Sequence, residues 1–214
     1  LTNSEIVAES LLKINAVTLS PNKPFTWASG MKAPIYTDNR ITISYPAVRK
    51  AIYTGLAQLI RDHFPEAEVV AGTATAGIPH AAWVAQQLKL PLIYVRKQPK
   101  DHGRGKMIEG ILEPDQQVVV VDDLISTGGS VLKAVKAVRE AGGNVVGVVS
   151  IFTYQLPAAD TNFGAAGIKY YSVTNYTELI NLAMKQHQIS SADLEVLKQW
   201  RDSPLLWSKE QAGK

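Results

Sequence analysis

Two stretches of this 214-residue sequence have the residue types and spacing to do chemistry. The first is Val118-Val119-Val120-Val121-Asp122-Asp123-Leu124-Ile125-Ser126-Thr127-Gly128-Gly129-Ser130. Gly128 and Gly129 let the backbone come close to a ligand. Ser126, Thr127 and Ser130 add hydroxyl donors, and a helix starting there adds free N–H groups and the positive end of its dipole. Such a turn suits a phosphate. Asp122 and Asp123 would repel a bare phosphate, so the ligand must also carry donors for them, as the hydroxyls of a phosphorylated sugar do. The second stretch runs from Arg96 to Glu109. It holds Arg96, Lys97, Lys100, Arg104 and Lys106 against Asp101 and Glu109, together with His102. The excess of positive charge there equals that of the whole chain, +3. A compact basic loop suits a small anion better than a long polyanion, so no nucleic-acid partner is expected.

These groups need a scaffold. The valine run is apolar and β-branched, which fits a strand buried on both faces of a parallel sheet. Further strands are expected at 68–71, 92–95, 144–152 and 169–173, alternating with helices at 45–64, 78–88, 130–141, 176–185 and 192–200. A helix of uncertain extent lies within 155–167, and a first helix, capped by Asn3 or Ser4, reaches about Ile14. Alternation of this kind implies an α/β fold with an open, mainly parallel sheet flanked by helices. The turns at 72–77, 96–110 and 122–130 each follow a strand. They should therefore meet at the sheet's carboxyl edge, where such sheets bind ligands. Residues 96–110 form a long loop with three glycines, expected to act as a lid. Residues 16–40 lack the βα rhythm and read as a small hood. The tail from Ser203 to Lys214 reads as loosely ordered, with Trp207 able to dock. His63, His80 and His187 read as helix-surface or helix-end residues.

Hydrophobic residues make up 46% of the chain, enough for one sizeable core over 1–214. The absence of Cys excludes disulfides, thiolate metal sites and a thiol nucleophile and is compatible with the cytoplasm, the expected location. No apolar run approaches the roughly 20 residues of a membrane helix, so no membrane partner is expected. Leu1-Thr2-Asn3-Ser4-Glu5 lacks the order of a secretory leader, and an initiator Met is expected ahead of it.

The thirteen residues 118–130 closely resemble the phosphoribosyl-pyrophosphate (PRPP) signature of the type I phosphoribosyltransferases. Arg96-Lys97-Gln98-Pro99-Lys100-Asp101-His102-Gly103 resembles the catalytic loop of the orotate phosphoribosyltransferases, and residues 25–36 resemble their orotate-side hood. The likeness spans nearly the whole chain and is strongest to the bacterial branch. It implies the type I phosphoribosyltransferase fold and transfer of phosphoribose from PRPP to orotate, with Mg²⁺ held mainly by PRPP and water and no direct protein ligand. It also implies a homodimer whose lid loops are shared between subunits. By resemblance, Arg96, Lys97, Lys100 and His102 meet the pyrophosphate, Asp122 and Asp123 the ribose hydroxyls, and Leu124, Ile125, Ser126, Thr127, Gly128, Gly129 and Ser130 the 5′-phosphate. Ser126 also touches orotate. Lys100, His102 and Asp123 are the catalytic candidates. Arg104 and Lys106 read as solvated charges.

Two departures from the family pattern matter. Many members carry an Arg at the end of the strand after the PRPP helix, where it meets the orotate carboxylate. Here that strand ends Ile151-Phe152-Thr153-Tyr154-Gln155. Many also carry Lys where this chain has Ala28, and Tyr-Lys where it has Thr75-Ala76. Backbone donors, Lys32 or Arg40 are left for the carboxylate, with Arg40 preferred. The signature alone is also compatible with another base, or with a PRPP-sensing regulator that binds nucleic acid.

Overall fold

The computed structural model describes residues 1–99 and 106–213. Lys100, His102 and Arg104 lie outside the described residues. In chain order the elements are α1 (Asn3–Lys13), β1 (Val17–Leu19), β2 (Phe25–Thr26), β3 (Lys32–Ala33), β4 (Ile35–Thr37), a 3₁₀ helix (Asn39–Ser44), α2 (Pro46–His63), β5 (Val69–Thr73), α3 (Gly77–Leu88), β6 (Leu92–Val95), β7 (Ile108–Glu109), β8 (Gln117–Ile125), α4 (Gly129–Glu140), β9 (Asn144–Thr153), α5 (Pro157–Ala166), β10 (Tyr170–Asn175), α6 (Tyr176–Lys185), α7 (Ser191–Asp202) and α8 (Pro204–Ala212). The main sheet has the order β10-β9-β8-β5-β6-β7. Its first five strands are parallel and β7 closes the edge antiparallel to β6.

The valine run sits at the heart of this sheet. Side chains alternate across a strand, so Val119 and Val121 join one core with Val70, Val149 and Ile151, while Val118 and Val120 join a second core with Val131, Val135 and Val138 of α4. All four valines are fully buried, worth about 1.5–3 kcal/mol each. Helices α1, α2, α3, α6 and α7 contribute to the first core; α4 and α5 cover the other face.

Several boundaries differ from the expectations. Thr2 caps α1, in a capping box with Glu5, which leaves Asn3 and Ser4 inside the helix. Ile6 is exposed although apolar, and Ala8 is buried with Val7, Leu11 and Leu12. β8 does not stop at Val121 but runs on through both acids to Ile125, because β9 continues to pair with it up to Ile125↔Thr153. The return limb of the loop 96–110 is strand, with Tyr94 opposite Glu109 and Val95 opposite Ile108. The tail is helical: Pro204 opens α8, Trp207 is buried, and Ser208 Oγ accepts a 2.8 Å hydrogen bond from the Lys32 amide of β3. The hood thus consists of two nested antiparallel pairs, β1 with β4 and β2 with β3, fastened from behind by the C-terminal helix.

Candidate active site

The two acids occupy different environments. Asp122 is buried and accepts 2.7 Å from Thr73 Oγ1 at the end of the neighbouring β5 and 2.8 Å from the Asp123 amide. Gly77, at the start of α3, is packed so closely that a Cβ there would lie 2.5 Å from Thr73 Oγ1 and 2.6 Å from the Val121 carbonyl oxygen. The small-residue turn at 72–77 is therefore what lets α3 press against the acid strand. Asp123 is partly buried. Burial first, and then the Asp122 carboxylate, push its pKa up to about 7. Its backbone carbonyl accepts 2.9 Å from Asn39 Nδ2, which ties the strand to the 3₁₀ helix.

Beyond the acids the chain turns through Gly128, whose φ of 81° is in the region that favours glycine. Gly128 has no side chain to cap α4, and among the described residues the only side-chain acceptor for its first amide is Thr127 Oγ1, at a long 3.5 Å from Gly129, which leaves a helix N-terminus of the geometry that receives an anion. Asn162 Nδ2 of α5 donates 2.8 Å to the Thr127 carbonyl and holds the turn in place. α3 likewise begins without a side-chain cap. Because β5 and β8 are neighbours, both helix starts lie at the same carboxyl edge, on opposite faces of the sheet. On the far side of β5, at the end of β6, the Arg96 amide bonds to Met107 and its guanidinium reaches Glu109 at 3.4 Å, so Arg96 anchors the base of the basic loop. Lys97 is exposed just beyond it.

A separate pocket of about 230 Å³ opens between hood and sheet edge. Trp27 and Ala28 come from the turn between β2 and β3, and Tyr36 and Thr37 from β4. Leu124 and Ser126 come from the end of β8 and its turn, and Tyr154 follows β9. None of these lining residues carries a charge. Trp27 and Tyr154 stack at 5.4 Å with 26° between their planes, and Trp200 of α7 meets both edge-on at 5.7 and 5.6 Å. A flat aromatic slot results, held from behind by fully buried Trp200. Ser126 lies in this slot and in the phosphate turn at once, joining the two sites.

The sequence-derived residues 122–130 come together as one edge, with Arg96 at its flank. Arg40 stands nearby rather than within them, close enough to interact electrostatically with Asp123 and with Tyr36 of the slot wall. Its side chain is 68% exposed, pairs with Asp38 at 2.7 and 3.0 Å, and is not among the residues lining the slot. Lys32 also stays outside, bonded to Thr26 Oγ1. His80 is the clearest correction among the histidines. It is buried, not on a helix surface, because α3 packs its first turn against the 3₁₀ helix, where Thr42 Oγ1 lies 3.3 Å from its Nε2. Burial pushes its pKa down to about 4, so its ring is neutral. Sequence reasoning missed Thr73, Asn39, Thr37, Tyr154 and Trp200. Only Thr73 carried a signal, as part of a small-residue turn after a strand.

A parallel sheet whose central strand delivers paired acids and then a glycine turn onto a helix N-terminus defines a nucleotide-sugar-phosphate type of transferase site, that of the phosphoribosyltransferases. The match of residues 44–177 to the phosphoribosyl transferase domain family agrees. The chain is 59% identical over 201 residues to the orotate phosphoribosyltransferase of Lactiplantibacillus plantarum, covering 94% of this chain and 95% of that one. It is similar in structure to orotate phosphoribosyltransferase from Aeropyrum pernix, with a TM-score of 0.71, 26% identity, and 86% and 99% of the two chains covered. It is also similar to the Mycobacterium tuberculosis orotate phosphoribosyltransferase in complex with PRPP, with a TM-score of 0.64, 27% identity, and 83% and 98% covered. The chain belongs to the orotate phosphoribosyltransferase family.

Proposed function

We propose that this protein joins orotate to the phosphoribosyl group of PRPP, forming orotidine 5′-monophosphate and pyrophosphate in pyrimidine (UMP) synthesis. One observation carries the reading: an uncharged aromatic slot and a phosphate-suited turn share Ser126 and open beside the same pair of acids. A flat base in the slot and a phosphate on the turn leave the ribose between them. Binding of PRPP by the M. tuberculosis relative supports the same role for residues 122–130 here.

In the reaction, N1 of orotate forms a bond to ribose C1 as the bond from C1 to the pyrophosphate oxygen breaks, and the proton N1 gives up passes to the departing pyrophosphate or to solvent. The bonding pair leaves with the pyrophosphate, and positive charge builds on the sugar. Asp122, already held by Thr73 and the Asp123 amide, is preset to accept from one ribose hydroxyl. Asp123 accepts from the other and, once ionised, faces the growing sugar charge. The α4 amides with Thr127 and Ser130 hold the 5′-phosphate, and Ser126 orients the base. Arg96 and Lys97, with Lys100 and His102, meet the departing pyrophosphate.

Mg²⁺ fits this set as a partner of the substrate. Asp122 and Asp123 are hard oxygen donors beside the ribose position and would face an ion held mainly by PRPP and water. When bound, the ion supplies neutralisation of pyrophosphate charge. We further place the enzyme in the cytoplasm as a homodimer in which one subunit's basic loop completes the other's site. Among the described residues no helix is long and apolar enough to cross a membrane. Arg40 is assigned to the orotate carboxylate at the rim of the slot, which requires it to leave Asp38.

The decisive assay offers purified protein PRPP, Mg²⁺ and a panel of bases. Orotate-dependent release of pyrophosphate is expected. Turnover of another base with none of orotate, or salt-sensitive RNA or DNA binding without any turnover, would sink the assignment.

A further inference from the structure

The slot leaves one feature unused by the reaction as written. Thr37 Oγ1 is buried in its wall and has no hydrogen-bond partner among the described residues. The Tyr154 hydroxyl stands beside it, near enough to be influenced by it, without a hydrogen bond of proper distance and angle. Among the other polar side chains of the wall, Tyr36 is 47% exposed to solvent. Trp27 Nε1 donates 3.0 Å to the Ile35 carbonyl, and Ser126, shared with the phosphate-suited turn, already serves the base from the sugar side. A buried hydroxyl without a partner is unfavourable and needs a reason.

We propose that Thr37 and Tyr154 form a neutral two-hydroxyl site that binds a carbonyl oxygen of the pyrimidine ring and so helps set which base the slot accepts. The inference rests on the base-site reading above. A carbonyl oxygen has two lone pairs and accepts from both hydroxyls at once, whereas a ring N–H has one proton to give. Thr37 donates nowhere else. Tyr154 is 3% exposed, and burial raises its pKa, so it keeps its proton and remains a donor. The stack of Trp27 on Tyr154 and the edge contact from Trp200 fix the Tyr154 ring, which fixes where its hydroxyl points. No lining residue is charged, so an uncharged acceptor is a better fit for the depth of the slot than a carboxylate, which belongs nearer solvent. A site built to hydrogen-bond a substrate group discriminates strongly against analogues lacking it, because its own buried groups are then left unpaired.

Thr37→Val and Tyr154→Phe remove the hydroxyls while keeping nearly the same shape. Each variant is assayed against PRPP and whichever base the wild-type enzyme consumes, with affinity for the product nucleotide measured by calorimetry. Each is expected to raise KM for the base roughly tenfold or more and to weaken product binding similarly. KM for PRPP should stay within about twofold, as expected for loss of a base contact alone. Thr37→Val should leave the melting temperature unchanged or raise it, because it removes a buried unpartnered hydroxyl. A merely structural Thr37 would instead lower it and shift both KM values together. Wild-type-like base KM and product affinity in both variants would overturn the hydroxyl pair. A wild-type enzyme that ignores orotate but uses another base would overturn the orotate assignment, while the two variants would still decide the pair with that other base.

Discussion

The two halves of the proposed site, one for the sugar-phosphate and one for the base, are built by opposite physics. The first lies at the ends of two adjacent parallel strands, β5 and β8, and works through carboxylates, hydroxyls and helix amides a few residues apart in sequence. The second is uncharged and aromatic, and it draws its walls from four separate segments of the hood and sheet, with α7 behind them. Charge and backbone dipoles act from a short local turn, but a flat apolar slot must be enclosed. Damage to packing should therefore reach the base half first, and damage to charge should reach the sugar half first.

Trp200→Ala is expected to show the largest effect. It opens a cavity behind Trp27 and Tyr154, and loss of a buried Trp costs about 3–5 kcal/mol. Denaturant melts should show that loss, and steady-state kinetics should show KM for the base rising well above KM for PRPP. Equal rises would mean that the two halves are not separately supported. On the charged side, Lys100→Ala should lower turnover by roughly two to three orders of magnitude with little change in melting temperature, since it removes transition-state stabilisation. A large drop in melting temperature would make Lys100 structural.

Asp123→Asn tests charge against stability in one residue. An unfolded Asp ionises near 3.8, whereas folded Asp123 holds its proton up to about 7. Between those values the folded state binds more protons, so this group makes the wild-type protein less stable as pH rises from about 4 to 7, and level above that. Asn cannot ionise. Above pH 7 the variant should be more stable than the wild type, by roughly 2–4 kcal/mol at most, and yet bind PRPP more weakly. Calorimetric PRPP affinity unchanged in both Asp122→Asn and Asp123→Asn would refute the ribose assignment. A stability difference independent of pH would refute the raised pKa.

Smaller effects refine the boundary between the halves. Thr73→Val leaves Asp122 without its 2.7 Å donor, which should cost about 1–3 kcal/mol and raise KM for PRPP but not for the base. Arg40→Ala should change stability least, because its pair with Asp38 is exposed and screened by solvent. Its expected signature is a KM for orotate raised far more than that for PRPP. A parallel rise in both would remove Arg40 from the carboxylate and leave that group to backbone donors.

Much of the fold was readable because its signals are local. The valine run, its acids and its glycine turn are contiguous, so strand, turn and helix could be placed within a few residues. The end of β8 was misplaced because acids read as a strand stop, whereas pairing with β9 carries the strand through them. The tail was misread because α8 has little amphipathic pattern of its own; Trp207 and the Ser208 contact to Lys32 order it. His80 looked like a surface residue until α3 was seen packed on the 3₁₀ helix.

By itself the sequence determined the chemistry of the sugar-phosphate half: adjacent carboxylates, a glycine turn and a helix start act over a few bonds, and their order along the chain is their order in space. Only the tertiary structure decided the base half. Thr37, Ser126, Tyr154 and Trp200 have no common spacing in the chain. They become one slot because the parallel sheet brings β8 and β9 edge to edge and the hood and α7 close over them, burying aromatic surface that no single segment could bury alone.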